Sequence, residues 1–79
     1  MSTYEKELAT IRAWWVDASI TQYYGQSEFE CYSAMYADTS KSVRDAMTAE
    51  TFAYALASVS VRPVAHNGRF WIQSGEVQW

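Results

Sequence analysis

The chain has 79 residues, 49% hydrophobic and 16% aromatic, with a formal net charge of −3. That length leaves room for one core, so residues 1–79 are expected to form a single domain, and the apolar fraction is too high for a disordered tail. The acidic balance disfavours a protein that coats nucleic acid nonspecifically, and no apolar run approaches the roughly 20 residues of a bilayer span.

The N-terminal Tyr4, Leu8, Ile11, Trp15 and Ala18 recur at spacings of four, three, four and three, the apolar stripe of an amphipathic helix. Ser2 followed by Glu5 has the spacing of a capping box, which places the helix start near Thr3. From Ser19 to Tyr24 the spacing turns extended or loop-like, and Gly25 permits a reversal. Ser27 and Glu30 repeat the capping-box spacing, and Phe29, Tyr32, Met35 and Tyr36 follow on one face, predicting a second helix over 28–37. The polar stretch Asp38 to Asp45 reads as a turn. Thr48 is then an N-cap for a third helix ending near Ser58, with Ala49, Phe52, Ala53 and Leu56 inward and Glu50, Thr51, Tyr54, Ala55 and Ser58 outward.

After Ser58 the period changes to two, and Asn67-Gly68 between extended runs predicts a hairpin whose turn residues both take positive φ. A two-residue turn sets His66 opposite Arg69, Ala65 opposite Phe70 and Val64 opposite Trp71. One face then carries Val59, Val61, Ala65, Phe70 and Ile72 towards the helices. The other carries Arg62, Val64, His66, Arg69, Trp71 and Gln73. The expected class is α+β: three helices and a C-terminal β-hairpin.

That order, with a tight turn before the third helix, is the plan of a winged-helix domain. The stretches Met47-Thr-Ala-Glu-Thr-Phe-Ala-Tyr-Ala-Leu56 and Val61-Arg-Pro-Val-Ala-His-Asn-Gly-Arg-Phe-Trp71 resemble the C-terminal winged-helix domains of phage-type primase-helicases and other mobile-element proteins. The shared features are a Thr cap, a Phe and Leu four apart, and Gly-Arg-aromatic at the hairpin tip. The resemblance spans about residues 29–73 on motifs of low specificity. It implies a viral or mobile-element setting and no enzyme activity, because the primase and helicase chemistry of that family resides in other domains. The chain departs from the family in having no Lys or Arg among the outward positions of its third helix, which argues against reading of the major groove.

The residues offer little to catalysis. The only cysteine and histidine, Cys31 and His66, are too few for a disulfide or a zinc site, and a cysteine in an aromatic helix face is most simply a core residue. Glu5/Glu7 and Glu28/Glu30 stand two apart on helices and diverge, and three separated glycines make no phosphate loop. No cofactor and no metal are expected. The opening Met-Ser-Thr-Tyr-Glu-Lys-Glu lacks the basic and hydrophobic regions of a secretory signal, so the expected compartment is the cytoplasm, that of the host in a phage setting.

Binding is the remaining class. Residues 1–40 hold two basic side chains (Lys6, Arg12) against six acidic ones, whereas residues 41–79 hold four (Lys41, Arg44, Arg62, Arg69) against three. The outer hairpin face, with Arg62, His66, Arg69 and Trp71, combines the types richest at interface hot spots with those that contact phosphate in a wing. Two readings use it. In the first, the chain binds a host protein or protein–nucleic acid complex and inhibits it, for example a defence complex. The acidic half would mimic nucleic acid, or the aromatic hairpin would plug an apolar site. In the second it is a DNA-binding accessory protein or transcriptional regulator, with Lys41 and Arg44 adding phosphate contacts. Against both stands a core role for Trp71 with merely solubilising arginines. Trp14 is expected to cover the edge of the first helix's stripe, and Trp79 to face a partner or fray.

Overall fold

The computed structural model describes residues 3–15 and 21–74. Over them the elements run α1 (Glu5–Trp15), β1 (Gln22–Gly25), α2 (Glu28–Ala37), α3 (Lys41–Ala46), α4 (Ala49–Ser58), β2 (Val64–His66) and β3 (Arg69–Gln73). The class is α+β as expected, with one more helix and one more strand than the period analysis supplies.

Helix α1 buries Leu8, Ile11 and Trp15, three members of the predicted stripe. Its first turn closes from the Leu8 N–H to the Tyr4 carbonyl at 2.8 Å, slightly later than the expected start at Thr3. Ser2 of the expected capping box and Ala18 of the stripe lie outside the described residues. Trp14 stands edge-on to Trp15 at 5.8 Å and is half-buried against the core, which is the edge-covering role expected of it.

Helix α2 is the hub, packing on β1, β3, α3 and α4. The Ser27 hydroxyl accepts the Glu30 N–H at 3.2 Å, while the Glu30 carboxylate accepts the Gln26 N–H at 2.5 Å, so the capping box closes one residue further back than usual. Its buried face is Cys31, Tyr32 and Met35, with Tyr36 edge-to-face on Phe52 at 5.5 Å. Phe29, expected on that face, is instead exposed, because the buried stripe runs through Cys31.

The polar stretch expected to be a turn contains α3. Its first turn forms on the Ser40 carbonyl, which accepts from Val43 and Arg44 at 3.1 Å each, and Val43 is fully buried. One buried residue in six carries no readable periodicity, and packing on α1 and α2 supplies what propensity does not.

In α4 the Thr48 hydroxyl accepts the Thr51 N–H at 3.2 Å, and Phe52, Ala53 and Leu56 are buried as expected. Ala55, placed outward by the spacing, is fully buried, because α4 is covered by both α1 and α2 and so buries a wider arc than one stripe. The helix ends in a Schellman motif: Ser60 takes φ 65°, its N–H bonds to the Ala57 carbonyl at 3.1 Å, and the Val61 N–H bonds to the Leu56 carbonyl at 3.0 Å. Val59 and Ser60 thus serve the helix end, and β2 begins only at Val64.

The hairpin turns at Asn67 (φ 50°) and Gly68 (φ 77°) with the predicted pairs His66–Arg69, Ala65–Phe70 and Val64–Trp71. Strand β1 joins antiparallel on the far side of β3, giving the order β1-β3-β2 with Tyr23 opposite Ile72 and Tyr24 opposite Trp71. Tyr23, Val61 and Ile72 are buried on the helix side. Ala65 shares that side yet is exposed, since the helices pack on β1 and β3 and leave β2 at the edge. Gly25 ends β1 where a Cβ would sit 2.6 Å from the Glu30 Cβ and 3.0 Å from the Cys31 nitrogen, so no larger residue fits without movement.

Candidate functional site

The sheet separates its side chains into two faces, and the one turned from the helices carries an unbroken cross-strand row. Tyr24 on β1, Trp71 on β3 and Val64 on β2 are register partners. Tyr24 is 55% and Val64 54% exposed, with Trp71 half-buried between them. These are among the few large apolar side chains left in solvent by the described residues. Trp71 is therefore a ridge, neither a core residue nor a free one.

Two open hollows adjoin Trp71. One, of about 200 Å³, is lined by Gln22, Tyr24, His66 and Trp71. The other, of about 240 Å³, lies among Ser60, Arg62, Val64, Trp71 and Gln73. The Tyr24 hydroxyl donates to Gln22 Oε1 at 2.5 Å, which fixes the amide beside the ring. At the tip, Asn67 Nδ2 stands 3.2 Å from His66 Nε2, a contact that a neutral ring accepts.

The six residues singled out from sequence fall in three places. His66 and Trp71 share a hollow, and Arg69 borders a third, open hollow at the end of β1 with Tyr24, Gly25, Gln26 and Glu30. Arg62 lies beside Trp71, but its guanidinium runs to the Glu28 carboxylate on α2 at 3.4 Å. Strict alternation does not reach Arg62, because it precedes β2. Lys41 and Arg44 lie on α3, which packs on α1 and α2, and Lys41 is paired with Asp45 at 2.8 Å. Tyr24 was missed: its pairing with Trp71 spans almost fifty residues, and only the Gln22/Tyr24 alternation within a four-residue strand hinted at it.

The thiol of Cys31 is buried on the helix side, donates to the Phe70 carbonyl at 3.1 Å, and is pushed up from its ordinary pKa first by burial and then by Glu30 and Glu28. His66 is exposed at the hairpin tip. The fold holds the two apart, on opposite sides of the sheet. Among the described residues no three His, Cys, Asp or Glu side chains gather as metal ligands, and no helix is long and apolar enough to cross a membrane. The exposed positions of α4 are Glu50, Tyr54 and Ser58, without a cation. No family model, curated protein or solved structure matches the chain.

Proposed function

We propose that the chain is a non-enzymatic, winged-helix-like module that binds a protein partner through the outer face of its sheet. The observation that carries this reading is the apolar Tyr24–Trp71–Val64 row, exposed at Tyr24 and Val64 with Trp71 half-buried between them, on a three-stranded support. Aromatic anchors of this kind supply large contact area at low conformational-entropy cost and dominate binding energy at interface centres. The winged-helix reading is supported by α2, α4 and the hairpin in the expected order, with α3 occupying the tight turn.

The setting we propose is a phage or mobile-element protein that acts in the host cytoplasm by inhibiting a host complex such as a defence system. Its support is the resemblance of the Met47–Leu56 and Val61–Trp71 stretches. Of the two modes, plugging an apolar site is favoured over mimicry of nucleic acid, since the exposed apolar row is contiguous. Affinity capture from nuclease-treated host lysate tests the reading: a nuclease-resistant partner should be retained by the wild type and lost from Tyr24→Ala and Trp71→Ala variants. Capture that both variants preserve would refute it.

One observation favours the DNA-binding reading. Arg69 and Arg44 are exposed and make no ion pair with a described residue, leaving two guanidinium groups available to phosphate.

A further inference from the structure

The hairpin tip carries a chemistry that binding by the sheet face does not use. Asn67 is the only asparagine of the chain, glycine follows it, and both residues are exposed. With no side chain on Gly68 to shield it, the Gly68 nitrogen can attack the Asn67 side-chain carbonyl once the two meet. The N–Cγ bond then forms, the Cγ–Nδ2 bond breaks, and the amide nitrogen leaves as ammonia, taking up the proton of the Gly68 N–H. Water opens the resulting imide at either of its two carbon–nitrogen bonds. Opening on the side-chain carbonyl gives aspartate. Opening on the backbone carbonyl gives isoaspartate, in which the main chain runs through Cβ and Cγ.

The backbone at Asn67 decides whether the two atoms meet. Ring closure needs the Gly68 nitrogen eclipsed with Asn67 Cβ about the Cα–C bond, at ψ of about −120°, the value of the first central residue in a type II′ turn. Asn67 has φ 50° and Gly68 φ 77°, and positive φ at both positions defines a type I′ turn, in which ψ of the first residue is about +30°. The Gly68 nitrogen then stands opposite Cβ, out of reach of Cγ. His66 holds the carboxamide as well, with Nε2 3.2 Å from Asn67 Nδ2. The observed turn is thus a protected form. The reactive form is one peptide rotation away, since type I′ and type II′ turns join the same strands and differ in the orientation of their central peptide. Gly68 accepts either sign of φ, and a Cβ built on it would meet nothing within 4 Å, so no neighbour obstructs the rotation.

We propose that Asn67 is a deamidation site gated by the flip of the Asn67–Gly68 peptide: the type I′ turn keeps the side chain unreacted, and the type II′ turn delivers it to the Gly68 nitrogen. The change is one-way. Isoaspartate adds one atom to the backbone of a two-residue turn, which no longer fits the His66–Arg69 pair, and either product sets a carboxylate between His66 and Arg69. The site does not depend on what the sheet face binds.

The test incubates the full chain at mildly alkaline pH, folded and in urea, and follows the tryptic peptide of residues 45–69 by mass spectrometry, with isoaspartate and aspartate forms separated by chromatography. Asn67 is the only asparagine in that peptide. Both products are expected at Asn67, forming about tenfold to a thousandfold more slowly in the folded chain than in urea, as for a reactive conformer populated at about 0.1–10%. The folded-state rate is expected to be unchanged in Tyr32→Phe, which removes the Tyr32–Val61 hydrogen bond and leaves the turn untouched. No product from the folded chain, or equal rates in the two states, would overturn the proposal. A folded-state rate that rises in Tyr32→Phe in step with its loss of stability would overturn it too, because the gate would then be opening of the hairpin.

Discussion

The Tyr32 hydroxyl donates to the Val61 carbonyl at 2.7 Å, a buried hydrogen bond between the hub helix α2 and the segment that leads from α4 into the hairpin. The same Val61 closes the Schellman motif through its N–H, so one residue is fixed on its donor side by α4 and on its acceptor side by α2. Together with the Cys31 thiol bonded to the Phe70 carbonyl, this sets the height at which the hairpin sits over the helices, and hence the plane of the Trp71 face. Tyr32→Phe strands a buried carbonyl and is expected to destabilise by about 1–2 kcal/mol in urea unfolding. A change below about 0.5 kcal/mol would show that water replaces the hydroxyl there.

Phe52 and Leu56 are fully buried on α4 between α1 and α2. Phe52→Ala and Leu56→Ala are each expected to destabilise by about 2–5 kcal/mol through lost transfer energy and the cavity left behind. Calorimetric losses under about 1 kcal/mol would mean that the α4 core is not packed as described.

Two backbone positions give changes of opposite sign. Ser60 holds φ 65° at the helix C-terminus, a conformation that glycine adopts without the Cβ penalty, so Ser60→Gly is expected to stabilise by up to about 1 kcal/mol. Gly25→Ala is expected to destabilise, because the new Cβ meets the Glu30 Cβ and the α2 backbone. Thermal melts of the two variants should shift upward and downward respectively.

Alkaline pH provides a further test. Burial, aided by the hydrogen bond to Asp38, pushes the Tyr23 phenol up to about 12, and burial does the same for Tyr32. The unfolded chain releases these protons near pH 10, before the folded one, so the stability they contribute is complete below that pH and is lost as pH rises from about 10 to 12. Urea midpoints followed from pH 8 to 12 should fall in that window, and less steeply in Tyr23→Phe/Tyr32→Phe. Equal slopes for variant and wild type would contradict this assignment.

Much of this fold was legible because its signals are local. Ser27 and Thr48 mark helix starts through side-chain caps, and Asn67-Gly68 dictates its turn and thereby three cross-strand pairs. Val43 shows the opposite case: a single buried residue in a polar run gives no period, and only the packing of α1 and α2 around it makes α3. The site divides in the same way. Trp71, His66 and Arg69 follow from the hairpin register, whereas Tyr24 depends on a distant pairing with β3, and Arg62 is redirected by Glu28 on another element.

The DNA-binding reading makes a quantitative claim of its own. With Arg62 engaged by Glu28, Arg44 and Arg69 are the guanidinium groups left for phosphate, so a log affinity against log salt plot should have a slope of about two, reduced by about one for each Arg→Ala. The protein-binding account expects no saturable binding of duplex or single-stranded DNA at low salt.

The most direct measurement is the affinity of the captured and purified partner for wild type, Trp71→Ala and Arg44→Ala/Arg69→Ala by isothermal titration. The account predicts that Trp71→Ala loses about 2 kcal/mol or more, roughly thirtyfold in Kd, because an anchor at an interface centre forfeits its desolvated area, while the arginine pair changes little. Full affinity in Trp71→Ala, with binding abolished by the arginine pair, would contradict it.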